Sequence, residues 1–347
     1  MKKPPLKINR RRFLGQGARG AGLLAVAGIS LTTSARLARA ASAAKEANPF
    51  AYDLDRVSRT DPKLIRYEAA AKFSAANPDP RRIALGPEDR LHIAGKNGVT
   101  ILNLSGGRLD EIVLPGPARC VAVAPDGAIY AGLRDHIEVF DRKGQRTATW
   151  ESPGKKVWLT GLAANENEVF AADAGNRVVL RYDRSGKVTG RIGEKNKERN
   201  VPGLIVPSPY LDVALGRDGL LRVNNPGRHC IEVYTTEGDL ELSWGKPSAA
   251  IEGFCGCCNP IAVGLLPDGR YITCEKGLPR VKVYSVQGQF ECVVAGPESF
   301  PENAKTGAIS DKSDGMLGGL DAIVDSRGRI CILDLVTATV TLMKAKA

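Results

Sequence analysis

Apolar and polar residues alternate in short runs along most of this chain, and tight-turn residues separate the runs at regular intervals. Six segments share one pattern: an alternating apolar run, a turn, a short apolar run, a loop, and a third run ending in a glycine turn. They are "IALGPEDRLHIAGKNGVTILNLSGGR", "RCVAVAPDGAIYAGLRDHIEVFDRKGQ", "LAANENEVFAADAGNRVVLRYDRSGK", "DVALGRDGLLRVNNPGRHCIEVYTTEGD", "IAVGLLPDGRYITCEKGLPRVKVYSVQGQ" and "LDAIVDSRGRICILDLVTATVTLMKAK", the last stopping after its third run. Gly107, Gly144, Gly186, Gly238 and Gly288 follow the third runs at spacings of 37, 42, 52 and 50. Asp-Gly pairs at 126–127, 218–219 and 268–269 follow the first runs. Glycine accepts positive φ cheaply, as two-residue hairpin loops require. Short strands with turns at this rhythm predict an all-β propeller with one four-stranded blade per unit.

The unit "VFAADAGNRVVLRYDRSGK" resembles the NHL repeat: an apolar strand, Ala-Asp, Asn-Arg-Val, then an aromatic-Asp turn. The resemblance extends over residues 63–347 and implies a six-bladed β-propeller of NHL type. The sixth unit lacks a fourth strand, whereas "KLIRYEAA", residues 63–70, has strand character and no blade of its own. It is expected to complete the last blade and close the ring, which removes an exposed edge. Residues 41–62 then form a polar tether. In NHL repeats the positions of Asp173, Asn176 and Arg177 hold the loop between the second and third strands, and short polar side chains there bond their own turn backbone.

The N-terminus reads as an address. "NRRRFLGQ" places Arg10 and Arg11 before Phe13 and Leu14, and closely resembles the twin-arginine (Tat) export signal. An uncharged stretch of 16 residues, 20–35, is too short to span a bilayer, which takes about 20 apolar residues. Ala38-Arg39-Ala40 fits a small-x-small cleavage site, so residues 1–40 are expected to be a signal peptide, cut after Ala40 or, as second choice, Ala43. This route, which carries folded proteins and often serves those loaded with a cofactor, implies a periplasmic location.

Removing the signal changes the charge. The whole chain has 49 Lys/Arg against 38 Asp/Glu, but residues 1–40 hold nine of the cations and no acid. The remaining 307 residues carry a net charge of about +2, which gives a nucleic-acid reading no electrostatic footprint. No later segment has the apolar length of a transmembrane helix.

Candidate chemistry centres on "FCGCCNP", where Cys255, Cys257 and Cys258 lie within four positions. The segment belongs to the link from the fourth blade to the fifth, near the expected mouth of the central channel. Three thiols so close in sequence cannot all point into one core. Gly256 lets the backbone turn tightly enough to gather the sulfurs, and Cys230, Cys274 or His229, expected on the same face, could supply a fourth ligand. Soft thiolate ligands suit copper(I) or an iron–sulfur cluster at least as well as zinc, although the spacing differs from the usual cluster signatures. Disulfides joining the trio to Cys230 or Cys274 are the alternative in an oxidising compartment. Cys292 and Cys331 sit inside apolar strands and read as small buried hydrophobes.

Three function classes remain open. The first is a redox or metal-handling propeller with a protein partner at its open face. The second is a non-catalytic interaction propeller with a disulfide-stapled loop. The third is a metal-dependent lactonase- or lyase-like enzyme using Asp173, Asn224, Asn225, Glu275 and Asp334 at the ends of second strands, although loop capping suits those residues better. Three histidines are too few for a His-rich site, and there is no serine-nucleophile elbow, phosphate loop or zincin motif. Replacing Arg10 and Arg11 by Lys is expected to leave full-length precursor in the cytoplasm, as cell fractionation would show; normal periplasmic delivery of the double variant would contradict the signal.

Overall fold

A computed structural model describes residues 58–306 and 318–346 of the chain. Residues 1–40, and most of the expected tether, lie outside the described residues. The described part contains six four-stranded antiparallel sheets. Blade 1 comprises β2 (Arg82–Gly86), β3 (Arg90–Gly95), β4 (Gly98–Leu102) and β5 (Arg108–Ile112); blade 2, β6 (Cys120–Val123), β7 (Ile129–Gly132), β8 (Ile137–Phe140) and β9 (Arg146–Trp150). Blade 3 comprises β10 (Leu159–Ala164), β11 (Glu168–Asp173), β12 (Val178–Asp183) and β13 (Val188–Ile192); blade 4, β14 (Val213–Leu215), β15 (Leu221–Asn225), β16 (Cys230–Tyr234) and β17 (Leu240–Trp244). Blade 5 comprises β18 (Ala262–Leu265), β19 (Tyr271–Cys274), β20 (Val281–Tyr284) and β21 (Phe290–Ala295). Blade 6 takes β22 (Leu320–Val324), β23 (Ile330–Asp334) and β24 (Thr339–Ala345) from the end of the chain and β1 (Tyr67–Ser74) from its beginning.

Each first strand touches the next around a circle: β2 with β6, then β10, β14, β18, β22, and β2 again. The fold is therefore a closed six-bladed β-propeller. Its core is divided into six apolar clusters, one between each pair of neighbouring blades. Middle strands such as β4, β7, β8, β16 and β20 are buried at every residue, because both faces of a blade are covered. Outer strands such as β5 and β17 are mostly exposed. Cys292 and Cys331 lie in two of the clusters, as packing residues.

The hairpins differ in detail from the expectation. Most loops after first and third strands have three residues, not two: Ala124 N–H bonds Ala128 C=O while Gly127 N–H bonds Ala124 C=O, and the same pair of bonds recurs at 141–145, 183–187, 216–220, 235–239, 266–270, 285–289 and 325–329; the first loop of blade 3, where Asn165 N–H bonds Glu168 C=O, keeps two. Glycine supplies the left-handed residue that follows the turn, as in a hairpin ending in a glycine bulge. In blade 1 that residue is Gly106, at φ +84°, one position before the Gly107 that the repeat spacing picked out.

The closing strand also shifts. Residues 62–64 form a single 3-10 turn, begun by Pro62 and capped by the Asp61 carboxylate, which accepts a hydrogen bond from Lys63 N–H. The strand starts only at Tyr67 and pairs with β24 from Tyr67–Ala345 to Ser74–Thr339. Deleting residues 41–58 is expected to leave the melting temperature nearly unchanged, whereas deletion through Ser74 exposes the β24 edge and should cause aggregation or a melting drop of more than ~10 °C. Equal behaviour of the two truncations would contradict closure by β1.

Candidate functional site

The chain rises from β17 through residues 245–261 before entering β18, and the cysteine trio lies at the end of this link. Its anchor is Phe254, fully buried and packed 6.2 Å from the Trp244 ring and 5.7 Å from the Tyr284 ring. Burial of such a ring contributes about 1.5–3 kcal/mol. Beneath it lies a buried ionic cluster. Lys282, in the middle of blade 5, places its ammonium 2.8 Å from Glu275 and donates to the carbonyls of Ile251 (3.0 Å) and Gly253 (2.7 Å). Arg280 grips the same carboxylate through two hydrogen bonds of 3.1 and 2.8 Å. Cys255 N–H donates to the other Glu275 oxygen at 3.4 Å. Burial pulls the Lys282 pKa down to about 8, opposed by Glu275.

Asn259 ties the far end of the loop. Its side-chain amide donates to the carbonyls of Cys255 (2.5 Å) and Lys276 (2.9 Å) and accepts from Lys276 N–H (2.9 Å). The sulfurs therefore sit on backbone held at both ends. Gly256, at φ +86°, makes the reversal between them. Cys257 is exposed, Cys258 buried and Cys255 half-buried, and the sulfurs of Cys257 and Cys258 are 3.0 Å apart. Burial raises the Cys258 pKa, partly offset by the Ser208 hydroxyl.

Of the other expected ligands, one reaches the loop and two lie in the blades. The His229 side chain reaches the loop, where its Nε2 meets the Gly256 carbonyl oxygen. Cys230 is buried beside Glu232, with Sγ 4.0 Å from its carboxylate. Cys274 is buried among the charges at the end of the channel. The eight cysteines are free thiols, and no group of three His, Cys, Asp or Glu side chains is gathered as for a metal ion among the described residues.

The residues at the ends of second strands hold the links between blades. Asp173 accepts from the N–H groups of Trp158, Gly175 and Asn176. Asn225 accepts from Ile205 N–H, and Asn224 from Asp212 N–H while donating to the carbonyls of Tyr210 and Pro260. Asp334 accepts from the Asn303 amide and from Val336 N–H. With Glu275 on Cys255 N–H, the same position in blades 3, 4, 5 and 6 fastens the incoming link of its own blade. Their oxygens are occupied by the fold, which accords with loop capping.

The centre of the ring holds a group that the sequence reading passed over. Arg82, 5% exposed, enters the channel from the start of β2. It donates to the carbonyls of Thr160 (2.8 Å), Leu211 (3.4 Å) and Ile261 (3.3 Å) and pairs with Asp321 (3.4 Å) and Asp212 (3.6 Å). One guanidinium thus touches blades 3, 4, 5 and 6 from blade 1. Asp212 and Asp321 also accept from Val263 N–H and Ile83 N–H across blade boundaries. The sequence carries a signal for this group: Arg82, Asp212 and Asp321 each stand four residues before the residue that opens the first hairpin loop of their blade, and so does Cys120. A cavity of about 290 Å³ lined by the six first strands ends at this group. A larger one, about 930 Å³, opens among the loops after the first strands of blades 1, 4, 5 and 6; its one buried cation, Arg222, is held by both Asp218 oxygens.

No family profile matches the chain, and no curated protein sequence matches it. Solved structures do. A streptogramin B lyase aligns with TM-score 0.55 and 14% identity over 81% of this chain and 98% of that one. A virginiamycin B lyase from Staphylococcus aureus aligns with TM-score 0.52 and 15% identity over 81% of this chain and all of the other. What is shared is the propeller. At this identity the likeness is one of fold, and it transfers no residue role. Among the described residues no helix is long and apolar enough to cross a membrane.

Burial pushes the Asp212 carboxyl up to about 6, against the pull of Arg82, because it shares that cation with Asp321. The folded value lies above the ordinary 3.8, so this group's contribution to stability falls as pH rises from about 4 to about 6. Buried His92 acts oppositely: its pKa drops from 6.5 to about 4, so its contribution rises over nearly the same window. Asp212→Asn removes the first and leaves Arg82 to Asp321 alone, which also relieves that carboxyl. The stability of the variant relative to the parent is expected to increase between pH ~4 and ~7 in urea unfolding. A difference independent of pH would show that Asp212 ionises in the fold without penalty.

Proposed function

We propose that this chain is an exported propeller of NHL-repeat type whose working site is the cysteine loop, holding a thiophilic metal ion such as copper(I) for a metal-handling or redox role with a protein partner. The observation that carries this reading is the Cys257–Cys258 pair: two thiols 3.0 Å apart, one of them exposed, on backbone fixed by Phe254, Glu275 and Asn259. Thiols kept for packing would be buried and apart, as Cys292 and Cys331 are. Soft thiolates select copper(I), which accepts few ligands, while an iron–sulfur cluster needs about four cysteines. Cys255, on the same loop, is the candidate for a third ligand. The Tat-like signal supports delivery of a folded, loaded protein to the periplasm.

Protein matured through its own export route is expected to carry the metal in stoichiometric amount by elemental analysis. Replacing Cys255, Cys257 and Cys258 together by Ser should abolish it while preserving the β circular dichroism. Replacing Cys292 or Cys331 should leave the metal in place and cost about 1 kcal/mol of stability through lost packing. Metal-free protein in which mass spectrometry finds the trio alkylated only after reduction would overturn this function and leave a disulfide-stapled interaction propeller.

A further inference from the structure

The two faces of the propeller carry opposite charge on corresponding loops. Every loop after a first strand bears an acid: Asp89, Asp126, Glu166, Asp218, Asp268 and Asp325 in blade order. Apart from arginines paired with these acids, the loops carry a cation in blades 4 and 6 only, Arg217 and Arg327. The loops between second and third strands, on the face of the cysteine trio, bear cations in five of the six blades: Lys96, Arg134, Arg177, Arg228 and Lys276. The compensation differs too. Asp126, Asp218, Asp268 and Asp325 pair with Arg184, Arg222, Arg270 and Arg329. None of the five cations on the thiol face pairs with a carboxylate among the described residues; Arg134 instead lies 4.2 Å over the Trp158 ring and Lys276 4.3 Å over the Tyr210 ring.

The acids on the thiol face do not offset them. Asp79, Glu194, Glu252 and Glu302 are taken up by Arg81, Arg191, Lys246 and Lys305. Asp135, Glu151, Glu198 and Glu298 have no Lys or Arg partner among the described residues; Asp135 bonds His136, and Lys155, Lys156, Lys195 and Lys197 of the links equal these four acids in number, which leaves the five loop cations unmatched. Because the chain beyond residue 40 is nearly neutral, this excess belongs to one face and not to the whole molecule.

We infer that the thiol face docks an acidic protein surface, which brings that partner over Cys257 and Cys258. Neighbouring blades stand about 10 Å apart, so a small anion reaches the cations of one or two blades, whereas a broad acidic surface meets all five. Half-buried Trp158, flanked by Arg134 at 4.2 Å and Arg119 at 5.4 Å, supplies the aromatic–arginine cluster typical of protein interfaces. A single-stranded nucleic acid would call for free aromatic stacking platforms, and this ring is already stacked by guanidinium groups. The inference names the partner in the function proposed above and rests on that reading only for what the partner receives. Its test uses no metal, so either can fail alone.

The probe is fluorescent poly-L-glutamate titrated into the purified protein and followed by anisotropy. Binding is expected to weaken at least about tenfold between ~20 and ~200 mM salt. Changing Lys96, Arg134, Arg177, Arg228 and Lys276 to Glu should abolish it. Reversing Arg142, Lys143, Lys187, Arg217 and Arg327, on the opposite face, should leave it intact. If the fivefold variant fails to fold, Arg134→Gln with Arg177→Gln should still weaken binding severalfold. Equal loss from either face, displacement of the probe by low-millimolar citrate, or tighter binding of poly-uridylate than of poly-L-glutamate would each overturn the inference.

Discussion

A propeller blade has two apolar faces and cannot cover either alone, so the structure depends on closing the ring. Each of the six clusters is shared by two blades, and every blade needs both neighbours. Blade 6 is assembled from the two ends of the described chain, and the β1–β24 pairing is where the circle is fastened. Its residues reach into both adjoining clusters: Tyr67 packs into the one between blades 5 and 6, and Phe73 against the one between blades 6 and 1. Loss of β1 would therefore be felt on both sides of the seam.

Closure brings the starts of the first strands together at the axis, where backbone polar groups would otherwise face a narrow apolar channel. Arg82 answers three of those carbonyls and two carboxylates at once. Burying an arginine and two acids is expensive unless each is paired. Since the partners come from four other blades, the group is complete only when those blades are in place. The Glu275–Arg280–Lys282 cluster applies the same chemistry inside blade 5, fixing a link where the Arg82 group fixes the ring.

The cysteine loop is held as the other links are, by a polar side chain at the end of the second strand of its own blade. It differs in what it presents. Two adjacent thiols stand among loops whose cations have no carboxylate partner, on the face where every link enters its blade. A rigid ring with variable loops separates the two demands: the strands carry stability, and the links are free to carry chemistry.

The blade count, the six-part ring and the closing strand were legible in the sequence, because alternation and turn glycines are local signals repeated six times. Even the loop-capping role of Asp173 follows from its neighbours in sequence. What the sequence misplaced was small in register: three-residue hairpin loops, Gly106 in place of Gly107, and a strand beginning at Tyr67 after a turn that Asp61 and Pro62 set up. The cysteine trio was visible as a motif, but which sulfurs meet depended on the Gly256 reversal and on the side chains that clamp the loop. Cys274 and Cys230 end and begin strands near that loop, yet pleating turns one toward the channel charges and the other toward Glu232. Arg82, Asp212 and Asp321 lie up to 239 residues apart and share a position within their repeats. Only the closed ring makes them one group, because a contact across the axis exists in no single blade.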